Sequence, residues 1–102
     1  MNEKLKDKNT DYLMKAILEL EDVNECYNFF QDICTINEIK SLTQRLQVAK
    51  MLVEDKRYTE VEEVTGASTA TISRVNRCLN YGEGGYKSIL KKLGVNVNVN
   101  NH

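Results

Sequence analysis

Apolar residues recur along most of this chain every three or four positions, which is the spacing of one face of a helix. Leu13, Ile17 and Leu20 share a side of residues 11–20. Asp22 is placed to cap a second segment, in which Val23, Cys26, Tyr27, Phe30, Ile33 and Cys34 recur at helical spacing. Thr35-Ile-Asn-Glu38 is a capping box: the Thr35 hydroxyl accepts the third-position N–H and Glu38 reaches back. The helix it opens carries Ile39, Leu42, Leu46, Ala49 and Leu52 or Val53 on one side, broadened by Val48 and Met51. Asp55-Lys-Arg57 ends it. The stretch from Asn80 to Gly85 reads as a glycine-rich turn, and residues 86–93 as a last short helix. That helix has Ile89, Leu90 and Leu93 apolar, and Gly94 stops it.

Between these lies the most specific pattern, a helix-turn-helix over residues 58–79. Val61 and Val64 mark the apolar side of its first helix. Gly66 sits where a sharp bend needs a left-handed residue, which glycine adopts without a Cβ clash. Ser68 is a good N-cap for the second helix, in which Ile72, Val75 and Leu79 form an i, i+3, i+7 stripe. The opposite face carries Thr69, Ala70, Ser73, Arg74 and Arg77. Small and hydroxyl side chains let a helix enter a major groove, and arginine pairs with guanine or phosphate. Ser68, Thr69, Ala70, Thr71, Ser73, Arg74 and Arg77 are therefore the expected DNA-facing set.

Composition fits an all-α chain. There is no proline among the 102 residues, and the length suits one domain or one part of an oligomer. The expected organisation is a flexible N-terminus over residues 1–10, a helical domain over 11–93 and a disordered Val/Asn tail over 94–102. No apolar run approaches the roughly 20 residues of a membrane span. No signal peptide is visible, so the cytoplasm is the expected location. Cys26, Cys34 and Cys78 have no CxxC spacing and read as neither a disulfide framework nor a zinc site. Cys26 and Cys34 read as small buried apolar residues on one helix face.

The net charge of −1 hides an asymmetry. Residues 1–35 carry eight acids and four bases, and residues 36–65 six acids and five bases. Residues 66–102 carry five bases and only Glu83 as an acid. The second helix of the motif and the C-terminal segment form the positive end, as a local phosphate footprint requires. The first two helices are short and strongly apolar on one side, more than a chain this small can bury alone. They are expected to bury themselves against a second copy, and a two-fold dimer presents two recognition helices to two half-sites.

The residues from Thr35 to about Leu93, above all Thr65-Gly-Ala-Ser-Thr-Ala-Thr-Ile-Ser-Arg-Val-Asn-Arg-Cys-Leu79, resemble the Trp-repressor superfamily, most closely its YerC/YecD-type branch. The resemblance implies an all-helical, intertwined homodimer that regulates transcription, reading an operator with the second helix of the motif. It also implies an effector pocket at Thr35, Arg45 and Arg74, the positions that match the family's ligand-binding threonine and two arginines. Two pocket positions depart: the family's small glycine is Val75 and its serine is Cys78. Added methyls fill the slot and an amine acceptor is lost, which argues against tryptophan gating. A regulator without a ligand, or with another small effector, fits better. Thr59 and Glu62 stand where the family has basic residues, weakening phosphate contacts from the first helix of the motif.

Rival readings are bland or non-enzymatic. Arg45 reads equally as a salt-bridged or exposed helix residue. Gly82, Gly84 and Gly85 form a turn, since no strand precedes them and no Gly-Lys-Ser/Thr comes after. Tyr81 and Tyr86 read as core or turn packing. Glu60, Glu62 and Glu63 read as a solvated helix face. No Ser/His/Asp, Cys/His or His-rich metal set is present, His102 is terminal, and neither enzyme activity nor a cofactor is expected. The competing class is a helix-turn-helix that docks on proteins without binding DNA.

Overall fold

The structure, a computed structural model, describes residues 3–97. Among them stand six helices and no strand: α1 Lys8–Leu18, α2 Val23–Ile33, α3 Ile36–Val53, α4 Tyr58–Thr65, α5 Thr69–Tyr81 and α6 Gly85–Lys92. The all-α expectation holds. Met1, Asn2 and the tail from Asn98 to His102 lie outside the described residues, so the expected disordered tail is described only to Val97.

Caps decide where the helices start. Asp7 accepts the Thr10 N–H at 2.7 Å and starts α1 at Lys8, three residues before the expected start at residue 11. Asp22 accepts the Glu25 N–H at 2.8 Å to open α2. At α3 the capping box closes from both sides. The Thr35 hydroxyl accepts the Glu38 N–H at 3.1 Å, and the Glu38 carboxylate accepts the Thr35 N–H at 2.8 Å.

Two helices stop by the same device. After α3, Asp55 takes the left-handed conformation at φ 66°. Its N–H donates to the Leu52 carbonyl at 3.0 Å, and the Lys56 N–H donates to the Met51 carbonyl at 3.0 Å. After α6, Gly94 does likewise at φ 88°. The Gly94 N–H donates to Lys91 and the Val95 N–H to Leu90, both at 3.0 Å. This paired 5→2 and 6→1 bonding satisfies carbonyls that a helix end leaves bare. It also turns the chain back over the helix, so Val95 and Val97 pack against the core. Aspartate is one of the few residues other than glycine that tolerates the left-handed region.

Packing divides the chain into two units, Met1–Ile39 and Lys40–His102. The second holds the core. α3 supplies Val48, Ala49, Met51, Leu52 and Val53, and α4 supplies Val61. Ala67 comes from the turn, Ile72, Val75 and Leu79 from α5, and Leu90 from α6. α5 packs against both α4 and α6. Each large apolar side chain contributes about 1.5–3 kcal/mol when fully buried.

The first unit is unlike the second: neither α1 nor α2 buries a residue. Tyr12, Val23, Tyr27 and Ile33 are exposed, and Leu18 is 83% exposed. Cys26 and Cys34 are only half-buried. Several positions that helical spacing assigns to a buried face are also exposed: Leu42 and Leu46 on α3, Val64 on α4, and Ile89 and Leu93 at α6 and its cap. Periodicity marks an apolar face but not what covers it, and these short helices carry more apolar surface than the chain's own core accepts.

The caps carry a pH dependence. The Thr35 N–H donated to Glu38, and the Thr10 N–H donated to Asp7, hold both carboxyls below their ordinary range. Both are more acidic folded than unfolded, so their stabilisation is complete above the ordinary carboxylate range. It fades as pH falls through the folded values. We expect the Thr35 amide to titrate with a midpoint below that of a free glutamate in an NMR pH series. Glu38→Gln should abolish that titration; an ordinary midpoint in the native protein would refute the cap's electrostatic role.

Candidate nucleic-acid interface

The turn between α4 and α5 is fixed by side chains as well as by glycine. Gly66 ends α4 at φ 71° and its N–H donates to the Glu62 carbonyl at 2.9 Å. Thr65 works in both directions: its hydroxyl donates to the Val61 carbonyl at 2.7 Å and accepts the Ala67 N–H at 3.1 Å. Gln44 of α3 donates from Nε2 to the Thr65 carbonyl at 3.1 Å, which ties the turn to the longest helix. Ala67 is buried beneath the bend. Ser68 then opens α5, its Oγ accepting the Thr71 N–H and donating to Thr71 Oγ1, both at 3.1 Å. The roles of Thr65 and Gln44 are not legible from helical spacing. A threonine one residue before a bend glycine is the only local hint, because its hydroxyl can bond back to the carbonyl four residues earlier.

With the turn fixed, the orientation of α5 is set by its own sequence. Ile72, Val75 and Leu79 are buried. Ser68, Thr69, Ala70, Ser73, Arg74 and Arg77 are exposed, and Thr71 is half-buried. At 100° per residue, Ala70, Arg74, Arg77 and Tyr81 fall on one line opposite the buried stripe. Tyr81 is 87% exposed, which corrects the expectation that it packs in the core or turn; only Tyr86 packs against the core. Tyr81 lies two positions beyond Leu79, which turns its ring away from the side α5 buries.

The charges around this face alternate by helix. α5 carries Arg74 and Arg77 and no acid, whereas α4, packed against it, carries Glu60, Glu62 and Glu63 and no base. All five charged side chains are exposed. Among the described residues neither arginine of α5 is engaged in an ion pair. Both guanidiniums are therefore available to an anionic partner approaching the outer face.

The residues expected around an effector fall in different settings. Thr35 belongs to the first unit, where its hydroxyl is used as the α3 cap. Arg45 is half-buried in the second unit, and its Nε donates to the Ser41 carbonyl at 3.3 Å, one turn back on its own helix. Val75, at the position where a small residue would open a slot, is buried in the core. Cys78 is exposed and borders an apolar cleft of about 470 Å³ with Leu46, Gly82, Glu83, Gly85, Tyr86 and Ile89. Among the described residues no three His, Cys, Asp or Glu side chains gather as a metal would require. No helix there is long and apolar enough to cross a membrane.

The chain shares its family and its fold with known proteins. Residues 8–94 match the Trp repressor protein family. The protein YerC of Bacillus subtilis (strain 168), uncharacterised in function, is 57% identical over 91 residues, spanning 89% of this chain and 88% of its own. The crystal structure of a candidate Trp repressor from Staphylococcus aureus superposes with a TM-score of 0.92 at 52% identity, covering 96% of this chain and 99% of that one. A TrpR-like protein from Eubacterium eligens ATCC 27750 gives a TM-score of 0.89 at 58% identity, over 91% and 96% of the two chains.

The turn chemistry makes a direct expectation. Thr65→Val keeps the side-chain shape but removes a donor and an acceptor, leaving the Ala67 N–H without its partner. We expect a loss of about 1–3 kcal/mol in chemical denaturation. Thr65→Ser should restore most of it, and equal stability of all three proteins would show that the hydroxyl does not hold the bend.

Proposed function

Because the chain belongs to the Trp repressor family, we propose that it is a sequence-specific DNA-binding regulator of transcription, acting as a cytoplasmic homodimer and a repressor. One observation carries the reading: α5 divides cleanly into a buried stripe and an outward face of small, hydroxyl and guanidinium groups. In this reading α5 enters the major groove N-terminus first. Thr69, Ala70 and Ser73 meet base edges, and Ser68 and Thr71 hold the first turn of the helix and its orphan N–H groups toward a phosphate. Arg74 and Arg77 pair with guanine or the backbone.

The homodimer is supported by the first unit. Two helices that bury nothing, with tyrosine, leucine, valine and isoleucine exposed along them, need a covering surface. A second copy supplies one and sets two α5 helices about one turn of DNA apart. Thr35, Arg45 and Arg74 are the proposed effector set. The buried Val75 and the thiol of Cys78 oppose tryptophan as that effector, so the regulator works without a ligand or with a different one. A second reading, a protein-docking module, is favoured by one feature, the exposed carboxylates of α4 beside α5.

Selection from random duplex DNA by the purified protein tests the proposal. We expect enrichment of a two-fold symmetric motif with half-sites about one helical turn apart. No enrichment, with or without L-tryptophan and a metabolite extract, would favour the docking module. On the selected site, Arg74→Ala should weaken binding by roughly tenfold and, if it meets a phosphate, lower the salt slope by about one. Sedimentation should show a dimer at micromolar concentration; a monomer there would exclude the interlocked arrangement.

A further inference from the structure

We propose that the cleft between α6 and the segment after it is a binding site for a small organic anion, one with a phosphate or carboxylate head and an apolar body. The cleft holds about 310 Å³ and is lined by Lys87, Ser88 and Lys91 of α6 and by Val95, Asn96 and Val97. That volume is at the lower end of small-molecule sites, and the lining sets two valines beside four polar or charged residues.

Its charge points to an anion. Lys87 and Lys91 are one helical turn apart and both border the cleft, while none of its described lining residues is acidic. Among the described residues no ion pair engages either lysine, although Lys87 is half-buried. The nearby acids are otherwise placed. Glu54 and Asp55 border a separate depression with Val53 and Asn96, and Glu54 is already bound to Lys50 Nζ at 3.1 Å. The two ammonium groups, the Ser88 hydroxyl and the Asn96 amide all border this cleft and are the groups it offers to an anionic head.

Its wall is built in. The bonds from Gly94 to Lys91 and from Val95 to Leu90 fold the chain back over α6, and Val95 and Val97 rest on the core. Where they border the cleft, the valines offer an apolar surface for the ligand's body. A concave, apolar-walled cleft suits a small molecule better than the convex backbone of a duplex. The site shares no residue with Thr35, Arg45 and Arg74, and its test needs no operator, so it stands or falls apart from the DNA-binding reading.

The test is an NMR titration of the full chain, at constant ionic strength in chloride, with phenyl phosphate and with inorganic phosphate. We expect saturable shifts of the Ser88, Lys91, Asn96 and Val97 amides with phenyl phosphate. Inorganic phosphate, lacking the apolar body, should bind about tenfold more weakly. The double variant Lys87→Gln/Lys91→Gln, whose side chains keep most of their apolar stems, should weaken phenyl phosphate by at least about tenfold with unchanged melting. Three results would overturn the proposal: no saturation up to roughly 10 mM, equal affinity in the double variant, or shifts confined to α5. A fourth is movement of the cleft amides by duplex DNA but not by phenyl phosphate, which would assign the lysines to the nucleic-acid backbone.

Discussion

Burial of the Ile72, Val75 and Leu79 stripe is the interaction on which the second unit depends. The three side chains join the apolar end of α3, Val61 of α4 and Leu90 of α6 in one cluster, so one helix organises the whole core. Since the stripe fixes the rotation of α5 about its axis, it also decides which residues point outward. A functional surface obtained this way needs no dedicated support: whatever stabilises the core aims the outer face. The rigid turn adds the remaining constraint. Thr65, Gly66 and Ala67 set the angle at which α5 leaves α4, and Gln44 anchors that angle to α3. The small outward side chains at the start of α5 are thus presented on a helix whose rotation and entry direction are both determined.

Against this, α1 and α2 represent the opposite extreme. Their helices are well started by Asp7 and Asp22, but exposed caps cannot replace a core. Isolated helices of this length are marginal in water. Neither helix buries a residue that could offset this. The proposed homodimer resolves this by making association and completion of the fold a single event, as is common where a protomer has no stable folded form alone.

Much of this is legible in the sequence, and the exceptions have a common cause. The capping box at Thr35 and Glu38, the Ser68 cap, the left-handed Gly66 and the buried stripe of α5 all depend on residues within a few positions of one another, and each can be read locally. Helix α1 begins earlier than its apolar spacing predicts because its start is written in the carboxylate of Asp7. Spacing alone assigns Leu42, Leu46, Val64 and Ile89 to buried faces, yet it cannot tell a face covered within the chain from one left for a partner. Tyr81 departs from expectation for a related reason: an aromatic beside a glycine turn suggests packing, but its register on α5 is opposite the core. The hydrogen bond from Gln44 to Thr65 joins residues 21 positions apart, beyond any local pattern. The cleft beside α6 likewise exists only once the chain has turned back at Gly94.

The uncovered faces of α1 and α2 also bear on the protein's lifetime. A newly made protomer presents Tyr12, Leu18, Val23 and Tyr27 to its surroundings, and marginal helices open readily to proteases and chaperones. In the proposed homodimer the same segments would be inaccessible. A chain would there be protected in proportion to how quickly it met a second copy. The apolar surface of the isolated fold would then tie the lifetime of each chain to its assembly.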